Sequence, residues 1–438
     1  MGIGHSHGTS RDDSSAVLAF DERLRQRIFA VAALLGLATL VGLVLLWPSQ
    51  SAVPDLGDLG VPDEYYNATV TRVEEFVCPR GDPDKPVTES EQSIPPDDSG
   101  NKIEDPSPRL LCLQLSFRLD AGPDRGKVIT TDRTDVADEP PYEVGDGLVV
   151  PYLKDALPQF QYAQQFERQR AAPMLLLGTI FAVLVVLQGR LRGLAALAGL
   201  VASIGVIILF VLPALMGGGP PVLIAVVAAS LIAYLALYLA HGFSPLTSVA
   251  LLGTLASLLL VVVLSWVFTK LVVLSGLGEE TQFLRAFGGN LDWSGLLLAG
   301  MILGSLGALD DMTVTQASAV AELRVANPEF GFGQLFRSGS RIGRDHIAST
   351  VNTLALAYAG ASLPLLLLFV RSEQSLGRVL TSEIVAAEVV RTLVGSIGLV
   401  AAVPITTVLA ARLVTGRKAA SELPPSSDTG SDVSSEPI

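Results

Sequence analysis

Gly300-Met-Ile-Leu-Gly304-Ser-Leu-Gly307-Ala-Leu-Asp310-Asp311-Met-Thr-Val-Thr-Gln316 decides the class of this chain. An apolar run leads into a pair of carboxylates, and the residues beyond the pair stay small and apolar through Ala321. Such a run reads as a membrane helix. An ionisable side chain within one is costly to keep and marks a functional candidate. Gly300, Gly304 and Gly307 share one helix face, where small residues let a neighbouring backbone approach closely. The segment before Asp310 is barely long enough to span. One reading therefore breaks the helix at the aspartates, leaving a helix end and two carboxylates at membrane depth, as ion sites in transporters do. The competing reading makes Asp311 the cap of a cytoplasmic helix, with Thr313-x-x-Gln316 as a second capping box.

Outward from this stretch, the apolar runs recur. They fall at 28–47, 172–188, 192–213, 221–240, 246–269, 294–311, 347–370 and 384–411. Each approaches the roughly 20 residues that a helix needs to cross about 30 Å of hydrocarbon. Half of the 438 residues are hydrophobic and only 17% are charged, where about a quarter charged is usual for soluble domains. The expected fold class is an all-α polytopic membrane protein of about eight transmembrane helices, with a small β-rich extracytoplasmic domain inserted after the first. The first run follows Arg23, Arg25 and Arg27 and exceeds the 7–15 residue core of a signal peptide, so it reads as an uncleaved anchor.

Basic residues orient the spans. With the N-terminus inside, the cytoplasmic segments carry 13 Lys/Arg, including Arg190, Arg324, Arg344 and Arg412, against 4 in the short outer loops. Both termini are expected in the cytoplasm of a bacterial cell, with the chain in its plasma membrane. The organisation is then a cytoplasmic tail (1–27), an anchor helix (28–47), an outer domain (48–170), a seven-helix membrane unit (171–412) and a polar tail (413–438). The tail's Ser, Pro and acidic composition predicts disorder.

Residues 51–170 hold 24 Asp/Glu against 12 Lys/Arg. Such acidity argues against nucleic acid, which needs basic surface. Residues 66–73 and 111–119 alternate apolar and polar side chains, the period of half-buried strands, and 148–151 reads as a closing strand. A small barrel of the OB or SH3-like kind fits. The chain has two cysteines, Cys78 and Cys112, both in this domain. A disulfide is expected in an oxidising envelope, with two buried free thiols as the alternative. No third Cys or nearby His completes a zinc site. His5-Ser-His7 reads as a polar tail. No metal or other cofactor is expected.

Further polar groups fall in the later spans. Ser349, Asn352 and Thr353 lie three and four apart and suit interhelical hydrogen bonds or coordination of a cation or substrate. Glu388 and Arg391 are one turn apart and are expected to pair. Pro364 and Pro404 are expected to kink their helices.

Three stretches carry a resemblance: Gly-Ala-Leu-Asp-Asp-Met-Thr-Val-Thr-Gln-Ala-Ser (307–318), Ile-Gly-Arg-Asp-His-Ile (342–347) and Asn-Thr-Leu-Ala-Leu-Ala-Tyr-Ala-Gly (352–360). With Gly-Ser-Ile-Gly-Leu-Val-Ala-Ala-Val-Pro (395–404), they resemble the YibE/F family of bacterial membrane proteins over about residues 170–412. The resemblance implies a multi-pass, permease-like protein without an assigned activity. It also implies a single Asp after the small-residue run, matching Asp311 rather than Asp310.

The first functional expectation is a permease or transporter with a membrane-embedded carboxylate site. Its candidate ion- or substrate-binding residues are Asp311, Asp310, Thr313, Asn352, Thr353, Ser349, Glu388 and Arg391. Its partners would be the lipid bilayer, a small solute or ion, and a second copy of the chain or an envelope protein. The alternative is a non-transporting envelope protein whose outer domain binds a partner or senses a ligand. An enzyme is not expected. Gly307-Ala-Leu-Asp310 lacks the second glycine of membrane aspartyl proteases, and no nucleotide loop or zinc-protease motif is present.

Overall fold

A computed structural model describes residues 20–48, 62, 64–77, 111–133, 140–154, 161–162, 166–277, 291–364, 367 and 375–415. The chain divides into two compact units, residues 54–183 and residues 1–53 with 184–438.

The smaller unit is built on strands β1 (Glu64–Val77), β2 (Leu111–Leu119), β3 (Val128–Arg133), β4 (Gly147–Tyr152) and β5 (Glu167–Arg168). They form one antiparallel sheet in the order β3-β2-β1-β4-β5. Alternation along β2 sends Leu113, Leu115, Phe117 and Leu119 into a core shared with Ala68, Val70, Leu148, Val150 and Phe166. Burying Phe117 alone contributes about 1.5–3 kcal/mol. β1 extends well beyond the expected 66–73 because its first half pairs with β4 and its second with β2. The ladder shifts register between Val70 and Arg72. The sheet edges are β3 and β5, and no pairing between them closes the expected barrel among the described residues.

Cys112 is buried in β2. Cys78, the other half of the expected disulfide, lies outside the described residues, as do His5 and His7.

The larger unit is helical. Helix α1 (Glu22–Leu45) begins where the Asp21 carboxylate accepts from the Arg23 and Leu24 amides at 3.0 and 3.3 Å. This cap sets the start several residues before the expected 28. Helix α2 (Ala171–Val206), whose residues up to Val183 fall in the smaller unit, runs through a π-helical turn, Ile207–Val211, into α3 (Leu212–Met216). The wide turn precedes Pro213, whose missing N–H and bulky ring do not fit a regular helix interior. Next come α4 (Pro221–His241) and α5 (Pro245–Val272), the latter started by Ser244 Oγ accepting from the Thr247 amide at 3.0 Å. Helix α6 (Trp293–Ala326) starts at the Asp292 cap. Helices α7 (Phe332–Ala361), α8 (Leu376–Leu380) and α9 (Glu383–Thr415) complete the unit.

Six of these elements are long and apolar enough to cross a membrane: α1, the α2–α3 run, α4, α5, α6 and α9. The α2–α3 run covers 46 residues. A straight helix of that length would measure about 69 Å, more than twice the hydrocarbon thickness. It is not straight: Arg190 has φ 52° and ψ −131°. A Cβ added to Gly193 would sit 2.3 Å from the Val185 carbonyl oxygen. Residues eight apart in a straight helix are about 12 Å apart. The chain therefore turns sharply between Val185 and Gly193. Leu175, Leu177 and Leu187 on the first limb are about 70% exposed, as suits a lipid-facing rather than a water-facing helix.

Two expectations are corrected here. Helix α6 is continuous through Asp310 and Asp311, so neither a broken helix nor a capping role describes the pair. Helix α7 starts at Phe332 rather than near 347, because Leu335, Gly339 and Gly343 repeat every four residues and form a buried stripe. It is interrupted at Ser362, and Leu363 and Pro364 are helical again, so the helical path breaks just ahead of the proline.

The core of the unit lies where α5, α6 and α9 pack on one another, around Leu251, Leu258, Val261, Ile302, Leu309, Leu399 and Ala402. Helix α7 packs on α9 and α6, and α4 on α6. Pro404 is accommodated inside α9.

Candidate functional site

Adjacent residues on a helix point about 100° apart, and this separates the two aspartates. Asp311 is exposed, and its carboxylate lies 3.7 Å from His346 Nε2 of α7. Asp310 turns toward α5, with Oδ1 buried and without a hydrogen-bond partner among the described residues. Its carboxyl interacts with Thr254 of α5.

Hydroxyls of α5 and α6 lie beside Asp310. Thr254 Oγ1 and Thr313 Oγ1 are 2.7 Å apart, and Thr313 also donates to the Asp310 carbonyl at 3.1 Å. Gly253 admits the third wall: a Cβ there would lie 2.2 Å from Thr406 Oγ1 of α9 and 3.4 Å from Thr313 Cγ2. Thr406 Oγ1 and Ser257 Oγ are buried without hydrogen-bond partners among the described residues. Thr254, Ser257, Thr313 and Thr406 are all fully buried. Leaving such polar atoms unpaired away from water costs about 1–3 kcal/mol each. A well-packed bundle selected only for stability would have filled these places with apolar side chains.

Below this cluster lies a different kind of polar contact, fully satisfied. Gln316 Nε2 donates to Gly339 O of α7 at 2.9 Å and to Thr407 Oγ1 of α9 at 2.7 Å. Thr407 in turn donates to Val403 O at 2.6 Å. This junction ties α6, α7 and α9 together and fixes the register of the wall that holds Asp310.

A second charged group lies on the other side of α6. Arg391 Nη1 donates to Glu388 Oε1 at 2.7 Å, as their spacing predicts. Arg391 and Glu388 interact electrostatically with Tyr358 of α7. The α6 glycine face opens toward them: a Cβ at Gly304 would lie 3.5 Å from Tyr358 Oη and one at Gly300 3.9 Å from Arg391 Nη2. Gly307 has nothing within 4 Å, so among the described residues this face does not seat a neighbouring backbone as the small-residue pattern predicts. Gly300, Gly304 and Gly307 are all exposed.

Ser349, Asn352 and Thr353 do not join either group. All three are exposed, and the Thr353 hydroxyl donates to Ser349 O within α7 at 3.0 Å, so the expected interhelical bonds are not formed among the described residues. The structure brings together Asp310 and Thr313, and Glu388 and Arg391. Thr254, Ser257, Thr406 and Tyr358 are members that the motif reading missed. A signal for part of this set is in the sequence. Thr254, Ser257, Ser265 and Thr269 recur at helical spacing in an otherwise apolar run and form one polar edge of α5.

Residues 177–416 match the family of YibE/F-like proteins, and the matched span contains every residue of both groups. No curated protein matches the chain, and no solved structure does. More than half of the chain is covered, from the first limb of α2 to the end of α9, and on that ground this protein belongs to the YibE/F-like family.

Proposed function

We propose that the chain is a permease that moves a small solute or ion across a bacterial plasma membrane and binds its coupling ion at Asp310. The observation that carries this reading is the buried Asp310 Oδ1, without a hydrogen-bond partner among the described residues, beside the paired hydroxyls of Thr254 and Thr313, with Thr406 of α9 on the far side of Gly253. A carboxylate and alcohol oxygens are donors suited to a proton or a hard cation. Carboxylates facing a bundle interior commonly mark ion pathways. The Glu388–Arg391–Tyr358 group beside the exposed Gly300 and Gly304 is the proposed approach to this region.

The reading takes eight spans. The sharp turn at Arg190 divides the long run in two, and the apolar second half of α7 supplies another. The start of α1 and the end of α9 meet through Asp21 N donating to Leu413 O at 3.3 Å, which supports placing them on one side, the proposed cytoplasmic side. Glu383 accepts from Ser275 and Gly276, which joins two segments assigned to the outer side. The sheet unit is proposed to be extracytoplasmic. The proposed partners are the bilayer, the transported species and a second copy of the chain or an envelope protein, with no nucleic acid and no catalysed reaction.

Uptake and export profiling of a strain lacking the chain, across ions, amino acids and drugs, tests the proposal. Altered flux of at least one species, restored by the wild-type chain, is expected. Unchanged flux throughout, together with a phenotype restored by the sheet unit tethered to a foreign anchor, would favour a sensor instead.

A further inference from the structure

At one end of the helical unit, the first turn of α1, the first residue of α7 and the last turns of α9 enclose a cleft of about 580 Å³. Arg23, Arg27 and Arg412 line it. Arg23 and Arg27 are four apart and share a face of α1. None of the three makes an ion pair among the described residues, whereas Arg25, which does not line the cleft, pairs with Glu22 at 2.6 Å. The one carboxylate in the lining, Asp21, already accepts two backbone amides as the α1 cap. Formal charge in the cleft is therefore net positive. Its remaining wall includes Phe332, whose ring lies 5.8 Å from the Arg412 guanidinium, and Leu24.

Converging guanidinium groups offer forked donors to a tetrahedral oxyanion, and Arg is the side chain best matched to phosphate. The apolar side chains beside them lie at the ends of membrane-crossing helices, where headgroups meet hydrocarbon. We propose that this cleft binds a phosphate ester, as presented by the headgroup of an anionic glycerophospholipid, and that the bound lipid pins α1 and α7 to α9. Basic pockets between transmembrane helices take such headgroups in general. The inference is independent of transport.

The test uses the full chain purified in an uncharged detergent. Thermal unfolding is followed with added phosphatidylglycerol, phosphatidylcholine or inorganic phosphate. Phosphatidylglycerol is expected to raise the unfolding temperature above that in equal phosphatidylcholine. The apparent affinity should fall about thirtyfold in the double variant Arg27→Gln/Arg412→Gln, at about fivefold per arginine. Both substitutions leave the Asp21 cap intact. Protection by inorganic phosphate that is lost in the same variant would also support the phosphate site while assigning it to a soluble ligand. Should the variant fail to fold, native mass spectrometry of the wild type provides the reading: preferential retention of phosphatidylglycerol supports the site. Equal retention of both lipids, or protection unchanged by the variant, would overturn the proposal.

Discussion

Replacing Gln316 by Met keeps the length of the side chain and removes its hydrogen bonding. Two bonds are lost, to Gly339 O and to Thr407 Oγ1. Hydrogen bonds between membrane helices contribute about 0.6–2 kcal/mol each, so Gln316→Met should destabilise the helical unit by about 1–4 kcal/mol. Thr407→Val, close in shape, removes one of those bonds together with the Thr407 contact to Val403 O. The double variant should then be less destabilised than the sum of the two single ones, by the energy of the shared bond. Unfolding in a detergent with graded denaturant, measured for all four proteins, yields this coupling directly. A coupling of about 0.6–2 kcal/mol is expected. Additivity within about 0.3–0.5 kcal/mol, the usual result for independent sites, would refute the junction and with it the register assigned to α6, α7 and α9.

Three further outcomes follow from the packing and the sheet. A Cβ at Gly343 would lie 2.4 Å from Val403 Cγ1 and 2.8 Å from Gln316 Oε1, so Gly343→Ala should cost about 1–3 kcal/mol by overpacking; recovery of thermal stability on adding Val403→Ala checks the cause. Mass mapping without reductant should find Cys78 and Cys112 bridged, and the loop they close should contribute about 2–4 kcal/mol; two alkylatable thiols in the native protein would remove the claim. Burial, then donation to Asp124 at 2.9 Å, raises the Tyr162 pKa. A pKa higher in the folded than in the unfolded state gives stability that is complete below the unfolded value near 10 and is lost as pH rises above it. Tyr162→Phe should flatten the alkaline fall in stability of the sheet unit, and superimposable wild-type and variant pH profiles would count against this.

The apolar runs made the helices readable, since length and composition decide whether a helix is stable in hydrocarbon. β2 was readable from its strict alternation, while β5, with two residues, is too short to carry a period. The course of α6 was not readable. Asp and Thr are capping residues in isolation, yet packing against α5 and α9 carries the helix straight through them. Nor does local sequence distinguish Asp310 from Asp311; the 100° between them matters only once α5 and α7 stand on their respective sides. The exposed position of Ser349 and Asn352 has the same origin. The stripe Leu335, Gly339, Gly343 takes the packed side of α7 and turns those polar residues away from α9.

Ion flux into proteoliposomes, driven by an imposed proton or sodium gradient and compared across the wild type, Asp310→Asn and Asp311→Asn, tests the central claim most directly. Asn keeps the volume of Asp and cannot exchange a proton. With Asp310 as the ion site, Asp310→Asn abolishes gradient-driven flux while expression and unfolding temperature stay near wild type, and Asp311→Asn, altered at an exposed position beside His346, retains most of it. Wild-type flux through Asp310→Asn would contradict the account.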